Sequence, residues 1–115
     1  MTDLGPDAAP GPEGDLGTLP RFAELVLAAV AQVPAGSVLT YGDVAELLGE
    51  GGPRQVGAVL SRYGSQVPWW RVLRADGTAA PQVRERAVAA WRREGTALLP
   101  DGERVDLSRA RWDGT

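Results

Sequence analysis

The stretch from Ser37 to Arg62, SVLTYGDVAELLGEGGPRQVGAVLSR, constrains this chain more than any other. It reads as two short helices joined by a turn that neither helix can run through. Thr40 with Asp43 three residues on resembles a capping box, Asp standing in for the usual Glu. Val44, Ala45, Leu47 and Leu48 follow as a short buried face. Gly49 ends that helix, because glycine enters the left-handed closing conformation without a Cβ penalty. Glu50-Gly51-Gly52 is the turn. Pro53 suits the first position of the next helix, where a missing N–H costs no bond, and Val56, Val59 and Leu60 face inward behind it. Two short helices around a Gly-containing turn make a helix-turn-helix.

The flanks extend this unit into one domain. In RFAELVLAAVAQVP, the residues Phe22, Leu25, Val26, Ala29, Val30 and Val33 form the stripe of an amphipathic helix, which Pro34 and Gly36 end. After Ser65, PWWRVLRADGT reads as a loop, a short strand and an Asp-Gly turn. QVRERAVAAWRREG is a further helix with Val83, Ala87 and Trp91 on one side and Gly95 as its stop. TALLPDGERVDL reads as a terminal hairpin around Asp101-Gly102, and Trp91 and Trp112 read as core or tail-docking residues. The expected fold is mainly α with a small β component, a winged-helix-like helix-turn-helix domain over residues 20–115. With 115 residues the chain is long enough to bury one core without staples. Residues 1–19 are rich in Pro, Gly and acids and poor in bulky apolar groups, which predicts a disordered acidic tail.

Composition excludes several chemistries. There is no cysteine, hence no disulfide, thiolate metal site or thiol nucleophile, and no histidine to shuttle protons near neutral pH. Neither a metal nor a cofactor is expected. No long apolar run suggests a membrane span and no signal peptide is visible, so a cytoplasmic protein is expected.

The net charge of −3 misleads unless its distribution is followed. The first 20 residues hold Asp3, Asp7, Glu13 and Asp15 and no base, leaving 12 arginines against 11 acids in the other 95 residues. Between Gly51 and Ala75 lie Arg54, Arg62, Arg71 and Arg74 and no acid. A local basic face on a near-neutral body is what a modest DNA binder carries. The second helix, PRQVGAVLSR, has few long polar groups for reading base edges; Gln55 and Ser61 are its neutral ones. Gly57 and Ala58 leave bare backbone suited to pressing against a groove, and Arg54 is the long side chain at the helix start.

Three segments together, VPAGSVLTYGDVAELLG, PRQVGAVL and VPWWRVLRADGT, resemble the DNA-binding domain of the O6-alkylguanine-DNA alkyltransferases. The resemblance is strong from Phe22 to Thr78 and looser beyond. It sets Trp69 where that family has its alkyl-accepting cysteine and Trp70 where it has a histidine. Only a thiolate is nucleophilic enough for that displacement, and an indole offers no comparable lone pair. The chain therefore resembles the alkyltransferase-like proteins, which carry Trp in place of the cysteine. The resemblance implies binding of O6-alkylguanine in double-stranded DNA by base flipping, without repair, and a signal to nucleotide excision repair proteins.

Residue by residue, the resemblance implies that Arg54 is the finger filling the vacated stack and Tyr41 helps rotate the nucleotide at its 3′ phosphate. Trp69 would line the alkyl side of the pocket with Trp70 beneath the loop, and Val72 would offer its carbonyl to the guanine edge. Thr40, Gln55, Gly57, Ala58, Arg62, Arg71 and Arg74 complete the expected DNA-binding set, with Arg71 bracing the loop more than touching the base. The usual Pro-Trp-His-Arg-Val reads here with Trp70 for His, and APQVRER replaces a Tyr-x-Gly-Gly segment, leaving the roles of Arg84 and Arg86 open. A monomer is expected. The competing reading is a helix-turn-helix transcription regulator without lesion specificity, which would need base-reading side chains on the second helix and usually a dimer surface. About four arginines near phosphates predict a slope of log affinity against log salt of about −3 to −4.

Overall fold

The computed structural model describes residues 20–115; the expected acidic tail lies outside the described residues. Helix α1 (Arg21–Gln32) leads through a turn to strand β1 (Leu39–Thr40), α2 (Tyr41–Leu48) and α3 (Pro53–Tyr63). Short 3₁₀ turns at Gly64–Gln66 and Trp69–Arg71 lead to β2 (Val72–Leu73). A third 3₁₀ turn, Pro81–Val83, opens α4 (Arg84–Glu94), and α5 (Leu107–Ala110) closes the chain. The domain is mainly helical with a small strand component, as the sequence predicts.

The helix-turn-helix forms as its local residues dictate. Thr40 Oγ1 accepts the Asp43 N–H and an Asp43 carboxylate oxygen accepts the Thr40 N–H, both at 3.0 Å, completing the capping box. Gly49 closes α2 in the left-handed conformation and Pro53 starts α3. Gly51, at φ +72°, lies so close under Phe22 that a Cβ there would sit 2.6 Å from the phenyl ring. The turn is thus pinned to α1 by the absence of a side chain.

Two apolar clusters make up the core, and the strands are the wall between them. Val26, Val30, Val33, Val44, Val56 and Leu60 unite α1, α2 and α3, joined by Leu39 and Val72. Val38, Leu73, Ala87, Trp91, Val105 and Ala110 form the second cluster around α4 and α5. Successive residues of a strand point to opposite faces, so Val38–Leu39 and Val72–Leu73 each feed both clusters. Leu39 pairs with Val72 and Thr40 with Leu73 in a parallel register. That ladder fixes the turn Trp69–Arg71, immediately before β2, against the start of α2.

Three expectations need correction. The α1 stripe is rotated, with Ala23, Val26, Val30 and Val33 buried while Phe22, Leu25 and Ala29 are half-buried. Leu47 is 60% exposed, because α2 turns its Tyr41, Val44, Ala45 and Leu48 side to the core. The helix read from Gln82 begins as a 3₁₀ turn and becomes α-helical at Arg84. The terminal hairpin is present as the antiparallel bridge Leu98–Val105, with α5 added beyond it.

Candidate nucleic-acid interface

Charge separates three depressions of the described surface. One lies along the helix-turn-helix turn beside Asp43, Glu46 and Glu50. Another runs beneath Trp112 and is bordered by Asp43, Glu46 and Asp113. Carboxylates at both mouths oppose a phosphate backbone. The third is a cleft of about 500 Å³ between α3, the loop before β2 and the start of α4. Its lining includes Arg74 and Arg86 and no acidic residue. Its size falls in the range of small-molecule sites, about 300–1,000 Å³.

Trp69 is a wall of this cleft, with Leu60, Gly64 and Val83 among its apolar neighbours and Tyr41, Pro53 and Gly57 on the helix-turn-helix side. The backbone sets the indole there. Pro68 precedes the 3₁₀ turn, and the Trp69 N–H reaches back 2.7 Å to the Val67 carbonyl. Arg86, in the first turn of α4, holds its guanidinium carbon 5.4 Å from the Trp69 ring centroid. This is cation–π distance, so Arg86 covers the indole at the cleft mouth. Gly57 faces open space: a Cβ built there would meet nothing within 4 Å.

Tyr41 is half-buried at the rim. Burial pushes its phenol above the ordinary tyrosine value, against the opposing charge of Arg74. The hydroxyl therefore stays protonated and able to donate a hydrogen bond. Arg54, Arg62, Arg74 and Arg86 are exposed and make no ion pair with a described residue. Ala58 is exposed on α3, while the Gln55 side chain accepts the Gly52 N–H at 3.0 Å and so supports the turn.

Several residues expected at the site turn inward. Thr40 is 5% exposed, with its hydroxyl spent on the cap of α2. Val72 is a core residue whose side chain faces the first cluster, leaving backbone atoms for the role assigned to it. Trp70 does not line the cleft: its indole N–H points the other way and donates to a Glu94 carboxylate oxygen at 2.9 Å. Arg71 is also committed inside the fold. Its Nε and Nη2 donate to Glu94 at 3.0 and 2.6 Å, and its Nη1 donates to the Val33 carbonyl at 2.8 Å. Burial raises the Glu94 carboxyl, but the hydrogen bonds from Arg71 and Trp70 outweigh it and hold the group below the usual glutamate value. Arg84 is likewise structural, donating to the Ala79 carbonyl at 2.9 Å. Arg86, whose role the sequence leaves open, and Gln82, which the sequence does not single out, both line the cleft, and a helix read by periodicity alone carries no signal of which side chain overhangs a distant loop.

This geometry, an arginine-flanked cleft shared by a helix-turn-helix and a loop with an indole wall, agrees with a family comparison. The model of the family described as 6-O-methylguanine DNA methyltransferase, DNA binding domain, matches residues 21–96. The chain belongs to this family. Lacking any cysteine, it is an alkyltransferase-like member that cannot accept an alkyl group on sulfur. It is 42% identical over 98 residues to a "DNA base-flipping protein" of Escherichia coli (strain K12), covering 80% of this chain and 74% of that protein. A "DNA base-flipping protein" of Vibrio parahaemolyticus is 31% identical over 97 residues, covering 80% of this chain and 96% of its own. Among solved structures, S. pombe Atl1 in complex with damaged DNA containing O6-carboxymethylguanine is similar with a TM-score of 0.70 at 29% identity. That likeness covers 81% of this chain and 95% of Atl1. Among the described residues, no helix is long and apolar enough to cross a membrane.

Proposed function

We propose that this chain is a non-enzymatic sensor of O6-alkylguanine in duplex DNA. It rotates the damaged nucleotide into the Trp69 cleft, retains it unaltered, and presents it to nucleotide excision repair proteins. The observation that carries this reading is Trp69 lining an arginine-flanked cleft in a chain with no cysteine. The base-flipping relatives and the damaged DNA bound by Atl1 support it.

Each step has a physical agent. The exposed arginines bring the duplex to α3, and Gly57 and Ala58 let the backbone approach closely. Arg54, at the first turn of α3, fills the gap left in the stack. Tyr41 donates to the phosphate of the rotated nucleotide. Extrusion costs a few kcal/mol, and less for a poorly paired base, so an O6-alkylated guanine leaves the helix more readily than a normal one. Inside the cleft the alkyl group exchanges water for dispersion contacts with Trp69, Leu60 and Val83. Nothing at the site removes the alkyl group, so the complex persists as a mark on the lesion.

The test is a titration of matched duplexes holding O6-methylguanine or guanine at one position, followed by recovery of the DNA. Tighter binding of the lesion, with the methyl group still on the base, is expected. Equal affinity, or a defined operator emerging from selection among undamaged sequences, would instead indicate a transcription regulator.

A further inference from the structure

We propose that Glu94 is a positioning residue for the cleft: by holding Trp70 and Arg71 from behind, it fixes the tilt of Trp69 and thereby sets discrimination between damaged and normal bases. This inference rests on the reading of the cleft as the lesion pocket. Glu94 does not line that cleft.

The argument begins with how many donors converge on one carboxylate. Arg71 supplies two, Trp70 one, and the Gly36 N–H reaches Oε1 at 3.4 Å. The Arg71 and Glu94 side chains are 17% and 11% exposed, so water competes weakly for these bonds. The location of the acid is also unfavourable for the helix by itself. Glu94 ends α4, where unsatisfied carbonyls make the negative pole and a carboxylate is repelled. What holds it there is the loop.

One turn earlier, Trp91 is fully buried and donates its indole N–H to the Trp70 carbonyl at 2.7 Å. Trp70 is therefore gripped by α4 at both its backbone and its ring nitrogen. Its ring then becomes a fixed wall that Trp69 meets edge-on, with centroids 5.5 Å apart and planes at 85°. Arg86, from the first turn of the same helix, covers the Trp69 ring at 5.4 Å. A single helix thus sets the indole from two directions, and Glu94 is the anchor that reads out as charge. Replacing that carboxylate by an amide puts an N–H₂ donor against Arg71 or Trp70 and frees the loop to rotate.

The experiment compares wild type, Glu94→Gln and Trp70→Phe in titrations of the two matched duplexes. Loss of a charge-assisted hydrogen bond at the anchor predicts that Glu94→Gln lowers the ratio of lesion to guanine affinity about tenfold. Affinity for the undamaged duplex, set by the outward arginines, stays within about twofold. Trp70→Phe removes one donor, leaves the Arg71–Glu94 pair, and lowers the ratio in the same direction by less. If Glu94→Gln weakens binding to both duplexes equally, its role is merely structural and the proposal falls. It falls too if wild type discriminates and Glu94→Gln retains the full ratio, or if Glu94→Gln does not fold and Trp70→Phe leaves the ratio unchanged. A wild type with no lesion preference overturns the reading of the cleft itself, a result distinct from any of these.

Discussion

The helix-turn-helix and the loop-plus-α4 region face the same cleft but are held together by different means. In the former, the deciding contacts are local: the Thr40–Asp43 box spans three residues, and Gly49 and Pro53 act at their own positions. In the latter, Trp70 and Arg71 depend on partners between 21 and 38 residues away: Trp91, Glu94 and Val33. The first region presents an outward basic surface with bare backbone, which suits any duplex. The second carries the indole wall and its supports. The face that approaches the duplex and the frame that holds Trp69 are therefore separately assembled, although both halves line the cleft and each carries two of the exposed arginines, Arg54 and Arg62 on α3, Arg74 and Arg86 on the other.

The largest expected effect is on the second half. Trp91 is fully buried and ties α4 to Trp70, so Trp91→Ala should cost about 3–5 kcal/mol by chemical denaturation. A loss below about 1 kcal/mol would mean that α4 is not the frame of the site. Next comes Arg54→Ala. Because Arg54 is exposed, stability should change by less than about 0.5 kcal/mol. Lesion preference should nevertheless drop about tenfold, since the emptied stack goes unfilled. Intact discrimination would remove Arg54 from the finger role. The smallest effect concerns salt. With Arg54, Arg62, Arg74 and Arg86 outward, the slope of log affinity against log salt should be about −3 to −4. Arg86→Gln should reduce its magnitude by about 1, and Arg71→Gln should leave it in place, because Arg71 is committed to Glu94. Equal changes from both would erase the distinction between outward and inward arginines.

The same division explains how much of the fold and site is legible in the sequence. Capping residues, helix-ending glycines and the helix-starting proline act within a few positions, so α2, the turn and α3 were legible. The phase of α1 was not, because Ala23 is buried in preference to Leu25, a choice made by tertiary packing and not by the apolar pattern. The parallel pairing of Leu39 with Val72 joins residues with no local signal between them. At the site, Trp69 is placed through the family resemblance, whereas the inward turn of Trp70 and Arg71 depends on a glutamate 24 and 23 residues further along the chain. The sequence leaves the role of Arg86 open, because its contact with the Trp69 ring needs the angle between α4 and the loop.

The central claim, that the alkyl group of a rotated base comes to rest against Trp69, is tested most directly by NMR of a duplex with a ¹³C-labelled methyl group on O6 of guanine. The account predicts an upfield ring-current shift of that methyl resonance at saturating protein, abolished in Trp69→Leu while the complex still forms. A methyl resonance unmoved by saturating wild-type protein would contradict it.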